Sequence, residues 1–390
     1  MSQHIIQVPP CTRLPSLHDD RMTMMLIDFK QSQFVFYKIQ NRIKMKLSIR
    51  TPFALTVLIT LFFSLTEARQ KVKKDPVVLT DDLLFMCDKR NPISSARQKT
   101  ELKWLVEATG KQSLLLSSSA QHQAACWILY KDRRQSKGRS RSLYLQRYAL
   151  SVLHFASTKS NSTSWDWFMA VDEPGAEAAK GHWMSHKHHE CNWYGVKCTA
   201  IRKKIKKLAL GYLKLDGILP RELYLLDQLK ELDMHANDFQ GVLPYKIVDG
   251  LRNLEILELH MNGFFGNLHK EIAGLRKLRE LRLFGNYFAG TLPGKELASL
   301  KDLEVIDMYA NFLTGTIPAE LGKLKKLRVL DLHDNNLVGS VPQAICNLKL
   351  ESLIVDCLGP NPEVQCSCCT VCCRGLPNAK CVDVKTGAEV

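Results

Sequence analysis

From residue 205 onward the chain repeats itself every 24 to 25 residues, which restricts it to architectures where each unit stacks on the next. The copies LKELDMHANDFQGVLP (229–244), LRELRLFGNYFAGTLP (278–293), LEVIDMYANFLTGTIP (303–318) and LRVLDLHDNNLVGSVP (327–342) show the columns plainly. In L-x-x-L-x-L a short strand turns its leucines inward and the intervening residues outward, as period-two geometry requires. An inward asparagine follows at 237, 262, 286, 311 and 335, where its amide can satisfy backbone groups that leave the strand ladder. Four residues later comes a glycine, at 241, 266, 290, 315 and 339, which admits tight or positive-φ backbone. Proline at 220, 244, 293, 318 and 342 stiffens the outer turn. Two columns weaken: Leu213 occupies the asparagine position of the first repeat, and His269 stands where the third should have proline.

Six repeats and a final strand within 350–355 give a stack about 30 Å long at ~4.8 Å per strand. One coil cannot bury its own leucines, so the units must stack and the ends need lids. The expected fold is an α/β repeat, a solenoid forming a right-handed coil of short parallel strands.

The string N-x-[LF]-x-G-x-[LIV]-P, present as NDFQGVLP, NYFAGTLP, NFLTGTIP and NNLVGSVP, resembles the plant-type leucine-rich repeat over about residues 201–348. Just ahead lies CNWYGVKC (191–198). Taken alone, those two cysteines could be a metal knuckle, helped by His182, His186, His188 and His189, or a redox pair. No second C-x-x-C accompanies the histidines, and the two cysteines themselves lack C-x-x-C spacing. The stretch resembles the family's N-terminal cap, C-x-W-x-G-V-x-C. That resemblance implies a disulfide between Cys191 and Cys198 holding Trp193 and Val196 over the first coil.

Upstream, residues 119–132 and 145–168 read as amphipathic helices, with a polar, basic break at Ser136 to Ser142. Their order, together with the cap, is similar to extracellular leucine-rich-repeat proteins of diatom-like algae, over about residues 118–373. VDCLGPNPEVQCSCCTVCC resembles the cysteine-rich C-terminal caps of those proteins. Its neighbourhood holds Cys346, Cys357, Cys366, Cys368, Cys369, Cys372, Cys373 and Cys381, whose pairing sequence cannot give. A metallothionein-like thiolate cluster is the sharper alternative for CSCCTVCC. Cys87 and Cys126 are left unassigned, pairing with each other being one option.

The expected organisation runs as follows: 1–44, disordered or not translated; 45–68, signal peptide or signal anchor; 69–117, a linker of low order; 118–200, the helical cap; 201–348, the repeats; 349–390, the cysteine-rich cap and tail. The uncharged TPFALTVLITLFFSLT (51–66) follows Lys46 and Arg50 and precedes small residues fit for signal cleavage, so a chain begun at Met45 would carry an ordinary secretory signal. Its sixteen residues are short against the roughly 20 of a spanning helix. Membrane attachment is expected only if that segment stays uncleaved. Cys11 alone of the 13 cysteines precedes it, leaving an even number, as export to an oxidising compartment favours. Asn161-Ser162-Thr163 is a glycosylation sequon consistent with the same route. A secreted or cell-surface location follows.

The net charge of +15 is spread along the chain, denser only in short runs such as 131–141, and fits solvated surfaces better than a nucleic-acid site. No hydrolase elbow, zinc-protease helix, phosphate loop or kinase glycine loop is present, so no enzyme and no cofactor are expected. No second hydrophobic segment follows the C-terminal cap, so a receptor kinase is not expected. The outward strand positions supply the candidate binding face. One row holds Asp233, Glu258, Arg282, Asp307 and Asp331; its neighbour holds His235, His260, Phe284, Tyr309 and His333. Acid beside aromatic and imidazole on a concave strand face fits a monomer that binds a protein, peptide or polysaccharide. A structural or adhesive extracellular component is the alternative. Histidines in contact with a partner would make affinity vary between pH 5 and 8.

Overall fold

Leucines two apart bury themselves on one side of every strand, and that alternation builds the principal layer of the molecule. The computed structural model describes residues 24–29, 32–39, 42–45, 77–132, 140–157, 183–201, 203–374 and 380–390. Two units are distinguished, Met1–Gln70 and Lys71–Val390.

In the first unit, strands Met24–Phe29, Ser32–Ile39 and Arg42–Met45 form an antiparallel meander. Phe29 pairs with Ser32 and Ile39 with Arg42. The segment 1–44, expected to be disordered or not translated, contains these strands, where a run of aromatic and β-branched residues, Phe34, Val35, Phe36 and Tyr37, gives strand propensity. The signal segment 51–66 lies outside the described residues, as does Asn161. Among the described residues no helix is long and apolar enough to cross a membrane.

In the second unit a ten-stranded sheet carries the repeat strands Ile205–Ala209, Glu231–Asp233, Ile256–Glu258, Glu280–Arg282, Val305–Asp307, Val329–Asp331 and Ser352–Val355 in parallel, in sequence order. A second, six-stranded parallel sheet runs through the glycine columns, from Asp216–Ile218 to Asn336–Leu337. Between the sheets lie the leucines and a file of stacked, fully buried rings, Phe239, Phe264 and Phe288, at 6.4 Å spacing.

The asparagines link successive coils. Asn286 donates through its side-chain amide to the carbonyls of Leu259 (3.0 Å) and Leu283 (3.0 Å) and accepts from the backbone N–H of Phe264 (3.0 Å). Asn237, Asn262, Asn311 and Asn335 repeat the arrangement. The two weak columns are filled differently. Leu213 is buried as one more core leucine, and its N–H reaches Asn237 of the next coil. His269 adopts φ −69° and ψ 150°, close to the φ −69° and ψ 129° of Pro318 in the corresponding turn.

The helical part begins earlier than sequence indicates. Helices α1 (Asp81–Leu84), α2 (Ala96–Thr109), α3 (Lys111–Leu115), α4 (Ala120–Cys126, continued as a π-helical turn to Lys131) and α5 (Arg141–Ala156) share a core of Leu83, Leu102, Leu105, Leu114, Ile128 and Tyr148. The described part of the expected linker, 77–117, is thus folded. Ser95 accepts from the N–H of Gln98 and starts α2, Gly110 ends it, and Leu102 and Leu105 face inward together. Helix α5 is buried on two sides. Tyr144, Tyr148 and Val152 enter the helical core, while Ala149, Leu150 and Leu153 cover the first coil of the solenoid. The expected second helix at 145–168 begins instead at Arg141, and its part beyond 157 lies outside the described residues.

Candidate ligand-binding face

The lid comes first, because it fixes the end of the sheet. Cys191 and Cys198 are bridged, and Val196–Cys198 pairs antiparallel with the first repeat strand. Trp193 is 2% exposed beneath this loop, against Trp183 at 5.0 Å and Trp127 at 6.5 Å between ring centres. The guanidinium of fully buried Arg147 lies over both rings, 5.2 Å from the centre of Trp127 and 4.8 Å from that of Trp193. It pairs with Asp132 (2.6 Å) and Glu190 (3.1 Å) and donates to the carbonyls of Ser185 and His188. Sequence reasoning missed this ion network; charges within an apolar helix, here Arg147 in α5, were the available signal. His188 and His189 serve local hydrogen bonds, to Ser185 and to the N–H of Cys191.

At the other end the bridges are Cys346–Cys368, Cys357–Cys372, Cys366–Cys369 and Cys373–Cys381, and the helical part holds Cys87–Cys126. All twelve described cysteines are paired, so the thiolate-cluster alternative has no free donors among them.

Between these ends the strand register brings both outward rows together. Asp233, Glu258, Arg282, Asp307 and Asp331 are successive register partners. Two residues on along each coil, five rings stack face to face: His235 on His260 (4.6 Å), His260 on Phe284 (4.2 Å), Phe284 on Tyr309 (4.5 Å) and Tyr309 on His333 (4.7 Å). The ladder can start at His235 because its predecessor is a glycine: a Cβ on Gly211 would lie 2.4 Å from that imidazole. All ten expected binding residues therefore form one contiguous surface.

The acid row holds the rings in place. Asp233 accepts from Nδ1 of His235 at 2.5 Å, and Asp331 from Nδ1 of His333 at 2.6 Å. Arg282 sits mid-row, 3.3 Å from Glu258, 2.8 Å from Glu280 and 3.8 Å from Asp307. Four acids against one arginine leave the row acidic in a chain of net charge +15.

Burial and crowding shift these groups. Burial, then the charge of Asp331, pushes Asp307 up to about 6. Burial, then Asp233, raises Glu258. His260 is pushed down to about 4 by burial and then by the neighbouring His235. For His333 burial works downward, but the hydrogen bond and charge of Asp331 outweigh it and raise the imidazole. Burial thus weakens two acids of the row, Glu258 and Asp307.

A Leucine Rich Repeat family model matches residues 326–348. The chain is 47% identical over 57 residues to the LRR receptor-like serine/threonine-protein kinase FEI 2 of Arabidopsis thaliana, covering 15% of this chain and 10% of that protein. It is 32% identical over 83 residues to phytosulfokine receptor 1 of the same plant, 21% of this chain and 8% of the relative. The matches thus span about a tenth of the length of these curated relatives. Among solved structures it is similar to the LRR ectodomain of the membrane receptor kinase GASSHO1/SCHENGEN3 from Arabidopsis thaliana in complex with CASPARIAN STRIP INTEGRITY FACTOR 2. That match has 38% identity and a TM-score of 0.34, over 35% of this chain and 16% of the other. Repeat columns, stacked parallel strands and the family match together make this fold a leucine-rich-repeat solenoid, with a disulfide-bearing cap at each end.

Proposed function

We propose that the outward face of the ten-stranded sheet binds a basic peptide or protein segment outside the cell, and that the chain is a recognition module without catalysis. The observation that carries this is the ladder of five stacked rings lying beside an acidic row. Rings already stacked lose little conformational freedom on binding, and an extended segment laid across them can place cations over the carboxylates. Cation–ring contact with Phe284 or Tyr309 adds to this. The curated relatives are receptors by name, which agrees with recognition. The six bridges favour an oxidising, extracellular setting, where the resemblance to algal extracellular proteins also points.

A displayed random-peptide library selected on the full chain tests the reading. Selected peptides should be rich in lysine, arginine and aromatic residues. Phe284→Ala or Tyr309→Ala should weaken them by about 30-fold, the effect of a hot-spot residue worth about 2 kcal/mol, with little change in melting temperature. Equal binding to both variants would move the site elsewhere. A library that yields no binder would favour the rigid structural spacer.

A further inference from the structure

The turns that lead into the repeat strands carry charge in two different patterns. One position holds Lys230, Glu255, Arg279, Glu304, Arg328 and Glu351 on successive coils. Signs alternate there, and the coils pair off: Lys230 with Glu255 (2.6 Å), Arg279 with Glu304 (2.9 Å) and Arg328 with Glu351 (2.9 Å). Backbone bonds fix that register, from the N–H of Arg279 to the carbonyl of Glu255, of Glu304 to that of Arg279, and of Arg328 to that of Glu304. Three residues earlier in each coil the signs do not alternate. Arg252, Arg276, Lys301 and Lys325 follow one another, all exposed, and exposed Lys349 comes next in the final turn.

Carboxylates on this ridge are already engaged, Asp302 by Lys326 at 2.6 Å and the glutamates as above. Among the described residues no carboxylate pairs with Arg276, Lys301 or Lys325. Lys301 and Lys325 each give one donor to a carbonyl that closes the preceding turn, of Ala298 (2.5 Å) and Gly322 (3.1 Å). Two of three ammonium donors and the whole charge stay available in each. Like charges one strand spacing apart, ~4.8 Å, repel one another, and within a Debye length of about 8 Å their fields add. Three consecutive cations without a counter-charge therefore raise the potential along one line, which attracts an anionic partner. Spaced 24 to 25 residues apart in sequence, these cations look dispersed; coiling gathers them into a file.

We infer that this ridge binds a linear anionic polysaccharide, with uronate or sulfate groups set one per coil along Arg276, Lys301 and Lys325. A coil step of ~4.8 Å is about the length of one sugar in an extended chain, whereas a duplex strand presents a phosphate every ~3.4 Å. The six bridges favour the extracellular side, where acidic glycans are the abundant polyanions. The ridge shares no residue with the ring ladder, so the inference stands apart from peptide binding.

Fluorescence anisotropy on the full chain would use four labelled probes: a heparin octasaccharide, an oligogalacturonate of equal length, neutral maltooctaose and a short DNA duplex. At about 50 mM salt an anionic octasaccharide should bind and the neutral one should not. Preference for heparin would assign sulfate, preference for the oligogalacturonate carboxylate, and equal affinity charge alone. Arg276→Gln, Lys301→Gln and Lys325→Gln together should weaken binding about 100-fold, roughly fivefold for each cation. The slope of log affinity against log salt should flatten by about two to three. Lys187→Gln, Lys197→Gln and Lys214→Gln, exposed around the lid and the first coil, remove the same charge and should cost less than about threefold. Arg276→Gln with Lys349→Gln spares both carbonyl bonds, should still lose about 25-fold, and serves if the ridge triple variant is destabilised. Binding of neither anionic glycan, equal binding of maltooctaose, tighter binding of the duplex than of both glycans, or equal losses in the ridge and lid variants would overturn the inference.

Discussion

His260 lies between the rings of His235 and Phe284, and its Nδ1 is buried without a hydrogen-bond partner. Asp307 has one carboxylate oxygen in the same condition. Their shifts act on stability in opposite pH ranges. His260, lowered from the usual 6.5 to about 4, favours the fold while neutral, so its contribution is present above 6.5 and lost as pH falls toward 4. Asp307, raised from 3.8 to about 6, favours the fold while protonated, so its contribution is present below 3.8 and lost as pH rises toward 6. His260→Phe should therefore gain more over the parent at pH 5 than at pH 7.5, while Asp307→Asn should gain more at pH 7.5 than at pH 4. Urea midpoints across pH 4 to 8 read both, and curves parallel to the parent would mean that neither group is held in its neutral form. The same groups lie within the ring ladder and the acid row, so affinity for a basic segment should fall as the acids protonate and His333 gains its charge. His333 carries the opposite shift to His260, because Asp331 accepts a hydrogen bond from His333, whereas Glu258, two residues before His260, is engaged by Arg282.

The asparagine column shows what one element contributes to its neighbours. Asn286→Ala would leave the carbonyls of Leu259 and Leu283 and the N–H of Phe264 buried without the amide they share. A loss of about 2–4 kcal/mol is expected in denaturant unfolding. Asn267→Ala, exposed on the second sheet, should stay within about 0.5 kcal/mol. Equal losses would show that the column is not what joins the coils. This column, the leucines, the strand register and both outward rows were legible in sequence because each repeats, so position within the period gives orientation. The proline column was legible except at His269, where backbone conformation is kept by a residue that does not dictate it. What does not repeat was hidden. Helix α2 reads as linker in sequence although Ser95, Gln98 and Gly110 mark its ends, because its many charges dilute the apolar face of Leu102 and Leu105. The pairing of the C-terminal bridges was equally invisible, since spacing cannot supply it.

At the scale of the whole second unit, two cores meet through α5, and the question is whether they unfold as one. Trp127 and Leu225 touch both cores, and Arg147 of α5 binds Asp132 on one side and Glu190 of the lid on the other. Those contacts couple the helical part to the first coil. Farther along, each coil contacts only its neighbours, so stability there is a sum of local terms. Cys87–Cys126 closes 39 residues of the helical part, a constraint of about 4 kcal/mol on a loop-entropy account. Replacing both cysteines by serine should raise amide exchange through α1 to α4 and in Ile205–Ala209, which α5 covers. Protection in Val305–Asp307 and Val329–Asp331, several coils away, should be unchanged. Exchange that rose equally in those distant strands would mean that the unit opens as a single cooperative body. Exchange confined to the helices, sparing the first coil, would mean that the Arg147 network and the lid hold the solenoid closed without the helical core behind them.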